Sequence, residues 1–421
     1  NAFVRSFAGA GTQSIDLGGR VVVPGFNDAH SHLGVGFPRL TLPPIDIPGP
    51  GPSLSVAVDQ VAQAVAVATP GEWILVIVGE ALILDPAATR AALDPVAPNN
   101  PVLLLTWSSH SGVINSAAMA AAGIGALDAN PFGGSYGRFA NGEINGVVNE
   151  YALFRVIRSA REIVPDAVLR AQYEFLSMLA VQVGVTSVQE MTIGLTRERS
   201  ERVLGGANLA LRVRSMCVPL ELEESCAISR SPTDRLSFSG TKWLLDGTPI
   251  ERSAALREPY ADFPGSGTFS LTPSELDRAV RKSLLSLPLR NQLVVHTIGD
   301  RALDNVLDAL RRAAPKPLWR LQRPRIEHGD LLHSEQFDLA HDLGAIVVQN
   351  PTHFTLDYGP PLGAARAVEA QPLRSLLDAG IPLAFGSDAA QPNPFLDLFF
   401  AVLHPFHPTE ALTMEEAVTA Y

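Results

Sequence analysis

Cysteine is nearly missing from this chain: Cys217 and Cys226 are the only two in 421 residues. A disulfide framework is therefore not the expected source of stability, and both are read as reduced thiols in a cytoplasmic setting. Basic charge is scarce as well. The 32 Lys and Arg against 43 Asp and Glu leave a net charge of −11 with no clustered basic stretch, which excludes nucleic acid and an anionic membrane as habitual partners, since both demand a positive face. Long apolar runs are absent; the most apolar window, Trp73 to Val78, is far shorter than a membrane span and is flanked by Glu72 and Glu80. There is no internal repeat, no low-complexity tract, and no glycine-rich dinucleotide fingerprint behind the first strand. The chain begins with Asn1 rather than Met and stops inside a helical pattern, so its natural beginning is expected to be missing.

Apolar residues make up 46% of the chain and charged ones 18%, enough for a large core, and an α/β barrel with elaborate loops can absorb this length as one unit. From Pro165 onward the pattern beats regularly between strand and helix. A helical stripe runs from Ala167 to Val183 and stops at Gly184, which suits a left-handed helix end. Strands are expected at Val185–Met191, Leu211–Leu220, Lys242–Leu245, Gln292–Thr297, Arg325–His328, Ala345–Gln349 and Pro382–Ser387, with helices such as Asp300–Ala313 and Ser334–Leu343 between them. Adding Val21–Ala29 as the first strand gives eight, and eight strands alternating with helices predict a closed (β/α)8 barrel of the TIM type. Residues 33–165 break the beat and read as an insertion after strand one, packed over the mouth. Pro38, Pro43, Pro44, Pro48, Pro50 and Pro52 forbid regular structure at its start. A helix near Leu54–Ala68 and strands at Trp73–Val78 and Val102–Trp107 follow.

Chemistry concentrates at the strand ends. In Val21-Val22-Val23-Pro24-Gly25-Phe26-Asn27-Asp28-Ala29-His30-Ser31-His32, side chains two apart on an extended chain point the same way, so His30 and His32 can reach one cation. His296, His328 and Asp388 end strands five, six and eight, and Lys242 sits on strand four. Barrel closure brings such ends over one mouth, and this donor set suits Zn²⁺ or another first-row divalent ion better than Ca²⁺ or Mg²⁺. Plainer readings exist for each: a salt bridge of Lys242 with Asp246, hydrogen-bonded core imidazoles for His296 and His328, a helix cap for Asp388. Glu190, at another strand end, is balanced between ligand and supporting partner. His110, Asn115 and His353 are candidate substrate contacts, with loop scaffolding as the alternative.

The passage Ile15 to Leu33, with Lys242-Trp243-Leu244-Leu245-Asp246-Gly247, Val294 to Ala302, Arg325-Ile326-Glu327-His328 and Phe385-Gly386-Ser387-Asp388, resembles the amidohydrolase superfamily. Within it the likeness is to the YtcJ-like branch (amidohydrolase family 3), which includes N-substituted formamide deformylases; Ser109-His110…Asn115 and Gly184-Val185-Thr186 also match. The resemblance implies that His30 and His32 hold the more buried of two metals and His296 and His328 the more exposed one. It further implies that Asp388 binds metal and acts as base, and that Lys242 bridges the ions as an N-carboxylysine. Residues 1–20 would be the remnant of a small β-sandwich ahead of a barrel spanning 21–421. The implied reaction is hydrolysis of a C–N bond, amide, N-acyl or N-formyl, in a small molecule by metal-bound hydroxide. A metal-dependent esterase, lactonase or isomerase on the same site, or a non-catalytic binding barrel, are the alternatives. Assembly into a homo-oligomer is compatible with all of them.

Overall fold

The computed structural model describes residues 5–34, 51–226, 234–285, 291–388 and 392–421. Its strands, in chain order, are β1 (Phe26–Ser31), β2 (Ile74–Val78), β3 (Val102–Thr106), β4 (Ser111–Ile114), β5 (Gly134–Arg138), β6 (Ile144–Glu150), β7 (Val185–Thr192), β8 (Arg212–Cys217), β9 (Leu236–Leu244), β10 (Leu293–Thr297), β11 (Arg325–His328), β12 (Ile346–Gln349) and β13 (Leu383–Phe385). β1 and β7 to β13 stand side by side in chain order as one parallel sheet. Its two edges meet, because Ser31 bridges Asp388 in parallel and the Asp388 N–H donates to the His30 carbonyl at 2.7 Å. Parallel neighbours need crossovers. Helices supply most of them, none being present among the described residues between β8 and β9, and the expected (β/α)8 barrel results.

The seam is fastened by Asp28. Its carboxylate is fully buried and accepts the Ser387 N–H and Oγ–H at 3.0 and 2.6 Å and the His30 N–H at 3.1 Å, tying β1 to the strand end that carries Asp388. On the outside, helix Asp300–Ala313 turns Ala302, Leu303, Val306, Leu307, Ala309 and Leu310 inward, the one-sided stripe its sequence predicts. Helix Asp166–Gln182 ends as expected, with Gly184 at φ +88°.

Several expectations change. The first strand begins at Phe26, not Val21; Val21 and Val22 are 86% and 74% exposed, and residues 5–25 carry no strand. Gly25 lies just ahead of this start, where a Cβ would fall 2.3 Å from Thr186 side-chain atoms, so the chain passes β7 too closely there for a side chain. β9 begins at Leu236, ahead of Lys242, and β8 stops at Cys217; Gly240 at φ +99° and a register shift opposite Ser215 to Cys217 mark a bulge that the apolar pattern did not disclose. The insertion holds a five-stranded sheet, ordered β2-β3-β4-β6-β5, where two strands were expected. β4 is short, and Gly112 in β4 and Gly146 in β6 interrupt the apolar alternation of the two strands. The proline run from Pro38 to Pro50 lies outside the described residues. Finally, Cys217 and Cys226 are not separate thiols. The chain returns from the end of β8 to bring their Cα atoms to 5.6 Å, and they form a disulfide. Among the described residues no helix is long and apolar enough to cross a membrane.

Candidate metal centre

The extended backbone of β1 sends His30 and His32 to one side, with their Nε2 atoms 3.3 Å apart. Lys242, from β9, places Nζ 2.9 Å from His30 Nε2. Asp388, just beyond β13, places Oδ1 3.4 Å and 3.3 Å from the same two nitrogens. His328 ends β11 with its ring 4.9 Å from that of His30, and the His296 ring on β10 lies 4.5 Å from His328. The six residues expected as ligands therefore share one cup. His353, on the short turn Pro351–Thr355 after β12, stacks on His328 at 5.2 Å and reaches Asp388 Oδ2 at 3.2 Å. Two triads, His30–His32–Asp388 and His328–His353–Asp388, each bring ligand atoms within 4.8 Å of one another, enough to hold a metal ion.

Three of these rings are gripped from behind. His30 Nδ1 lies 2.6 Å from Glu327 Oε2, His32 Nδ1 lies 3.2 Å from the Met191 carbonyl, and His328 Nδ1 lies 2.8 Å from Asn350 Oδ1. Asn350 is itself oriented, because its Nδ2 donates to the Gly386 carbonyl at 2.6 Å. These partners can only accept, so Nδ1 of His32 and of His328 carries the proton and leaves the Nε2 lone pair to face the cup, and the Glu327 carboxylate beside His30 Nδ1 favours the same tautomer there. Facing lone pairs on His30 and His32 at 3.3 Å repel unless a cation lies between them. His296 Nε2 is likewise buried without a hydrogen-bond partner among the described residues. The donor set thus fits a divalent metal.

The charges agree. Burial lowers the His30 pKa to about 4 and holds His296 and His328 well below the ordinary imidazole value, so all three stay neutral. Burial lowers Lys242 to about 8, within reach of a neutral amine. Burial alone would raise the Asp388 carboxyl, but His30, His32 and His353 around it hold it well below the carboxylate range. His353 behaves differently: burial would lower it, yet Asp330 and Asp388 on its two nitrogens push it up to about 10, making it an imidazolium clamp on Asp388.

The remaining candidates fall elsewhere. Asn115 is fully buried in the insertion and caps helix Ser116–Ala121; its side chain binds backbone only, which makes it scaffolding and not a substrate contact. The Glu190 carboxylate accepts the Leu33 and Gly34 N–H groups at 2.8 and 3.0 Å, gripping the chain just past His32. Asp246 is no partner for Lys242, because it accepts the Ala255, Ile298 and Gly299 N–H groups. His110, in the turn just before β4, does reach the cup: its ring lies 4.7 Å from His296 and its Nδ1 2.9 Å from Glu150 Oε2. Glu327, Asn350 and Glu150 went unnoticed as supports, although the alternation of Arg325 and Glu327 across from Ile326 could have marked the first.

A parallel eight-stranded barrel with imidazoles, a lysine and a carboxylate gathered at its strand ends is the frame of a metal-dependent hydrolase. Residues 13–421 match the model described as "Amidohydrolase family", and the chain belongs to that family. It is 29% identical to Protein LONG AFTER FAR-RED 3 of Arabidopsis thaliana over all of this chain and 76% of that one. It is 28% identical to the N-substituted formamide deformylase of Arthrobacter pascens over 99% of this chain and 81% of that one. An uncharacterized metal-dependent hydrolase from Pyrococcus furiosus shares its fold, with a TM-score of 0.67, 24% identity, and coverage of 94% and 80%.

Proposed function

We propose that this chain hydrolyses a carbon–nitrogen bond, an amide, N-acyl or N-formyl group of a small molecule, with one or two divalent ions, Zn²⁺ foremost. The observation that carries the reading is the pair of opposed Nε2 lone pairs on His30 and His32, 3.3 Å apart with Asp388 Oδ1 beside both. His30, His32 and Asp388 would hold the first ion. His296 and His328 would hold the second, and Lys242 as an N-carboxylysine would join the two. When bound, such ions make hydroxide available at neutral pH and polarise a scissile carbonyl.

The protein's own groups do the rest. Asp388 takes the proton of the attacking water and returns it to the departing nitrogen. His353 fixes that carboxylate through Oδ2, leaving Oδ1 turned to the histidines. Burial lowers Lys242 to about 8, which gives it at neutral pH a minor share of the neutral amine that carbon dioxide capture requires. His110, held by Glu150, packs against the His296 ring and would line the substrate's side of the cup. The choice of a C–N bond is supported by the likeness to a formamide deformylase. Cytoplasmic placement rested on reduced thiols and loses that support with the Cys217–Cys226 bond.

Elemental analysis of the purified protein, with turnover screened on N-formyl and N-acyl amines against matched esters, tests the reading. Zinc-like metal in the protein and hydrolysis of amides that stops on chelation is the expected result. Metal-free protein that still turns substrate over would end it.

A further inference from the structure

β11 and β1 are not neighbours in the barrel, since β12 and β13 stand between them, yet β11 holds β1 at two points through the interior. Arg325 and Glu327, two apart on an extended strand, point the same way. Glu327 Oε2 lies 2.6 Å from His30 Nδ1, and Arg325 Nη2 donates at 2.7 Å to the carbonyl of Ala29, the residue before His30. The pair is locked together, with Arg325 Nε and Nη2 donating to Glu327 Oε1 and Oε2 at 2.7 and 2.9 Å. Arg325 Nη1 donates to Gln189 on β7, the strand beside β1. Both side chains are excluded from solvent, at 3% and 0% exposure.

We propose that Arg325 and Glu327 are positioning residues for His30, a strut across the barrel that sets the imidazole's direction and tautomer before any cation arrives. The inference rests on His30 being a metal ligand as read above. Of the three rings gripped at Nδ1, His32 and His328 have neutral partners and His30 alone has a carboxylate. A carboxylate pins the proton on Nδ1 and makes Nε2 a stronger donor to a cation. An isolated buried carboxylate would be costly; the bidentate guanidinium offsets that cost. Because the same guanidinium holds the Ala29 carbonyl, a single unit fixes the ring and the backbone that carries it.

The test uses nitrogen-15 imidazole spectra of the metal-free full chain and zinc affinity by competition with a chelator. In wild type, His30 should show a single tautomer protonated at Nδ1 with no metal present. Glu327→Gln should scramble that tautomer and weaken zinc binding by about 10–100-fold, while Glu327→Asp, which keeps the charge, should recover part of the affinity. Wild-type His30 in mixed tautomers would overturn the proposal even if Glu327→Gln fails to fold. So would a folded Glu327→Gln with unchanged tautomer and affinity. Wild type that binds no metal but keeps the Nδ1 tautomer would instead remove the proposed function and leave the strut standing.

Discussion

Replacing Asn115 with alanine separates scaffolding from substrate contact. Its Oδ1 accepts the Val102 and Ala118 N–H groups, each at 2.9 Å, and its Nδ2 donates to the Ala97 and Asn100 carbonyls at 2.8 and 2.9 Å. One side chain thus joins the turn before β3, the start of β3 and the first turn of helix Ser116–Ala121. Truncation strands four buried backbone groups, each worth about 1–3 kcal/mol when unsatisfied. Water entering the vacated space recovers part of this, so the loss should be roughly 3–5 kcal/mol, of which the helix cap alone accounts for about 1 kcal/mol. Asn115→Asp should fare little better, because it keeps both accepted N–H groups but turns a carboxylate oxygen toward two carbonyls. Urea unfolding followed by far-ultraviolet dichroism reads the loss, and KM measured on the folded fraction should not move. A variant with unchanged urea midpoint and a tenfold higher KM would refute the reasoning and return Asn115 to the substrate.

Asp388→Asn should lower turnover by about 10²–10⁴-fold, the usual worth of a general base, with the unfolding midpoint little changed; near-normal turnover would remove Asp388 from the chemistry. Lys242, if carboxylated, should make activity fall in carbon-dioxide-free buffer and return with bicarbonate, and Lys242→Arg should show no such return. Asp397 is buried between the Thr352 N–H and the Tyr421 hydroxyl, and burial pushes its carboxyl up to about 8. The native state therefore binds this proton more tightly than the unfolded chain, whose Asp titrates near ~3.9, and this group's contribution to stability is lost as pH rises from about 4 to 8. Asp397→Asn should gain stability relative to wild type between pH 5 and pH 8 in paired urea titrations; a constant difference would refute the assignment. Denatured without reductant, the protein should show no free thiol; two per chain would restore Cys217 and Cys226 to the reduced state.

The barrel was legible because its signal is periodic. The strand–helix beat after Pro165 needs only apolar spacing, and helix Asp300–Ala313 falls where its stripe put it. The histidines and Asp388 were legible because they sit at or near the ends of those periodic segments, and ends converge once the sheet closes; Lys242 lies inside its strand and stood out only through the family resemblance. The insertion sheet was not. β4 and β6 pair around Gly112 and Gly146, and Gly146 at φ +99° crowds the Ile114 carbonyl so closely that no alternating side chain could stand there. Asn115 misled for a related reason: a polar residue beside a histidine reads as a contact when the burial that makes it a backbone hub is invisible. The late start of β1 and the disulfide depend on which segments meet in space, which local spacing does not encode.

The cup also depends on backbone states that composition conceals. His328 and Asp388 sit at φ +67° and +54°, and Ser109 and Glu150, beside His110, at +62° and +53°. For residues with a Cβ such states cost about 1–3 kcal/mol each and persist only where the surroundings enforce them. At Asp388 the enforcing contacts are the N–H bond to the His30 carbonyl and the Asp28 grip on Ser387; at His328 they are the Asn350 bond and the Gly329 N–H donated to the Thr297 carbonyl at 2.9 Å. β11 stops on His328 itself and β13 stops at Phe385, shortly before Asp388, and in both places the turn swings the side chain over the mouth. Glycine would relieve the strain at either position but would delete the side chain that is swung. The strain and the donor set are thus one arrangement, with the neighbouring strands supplying the energy that holds it.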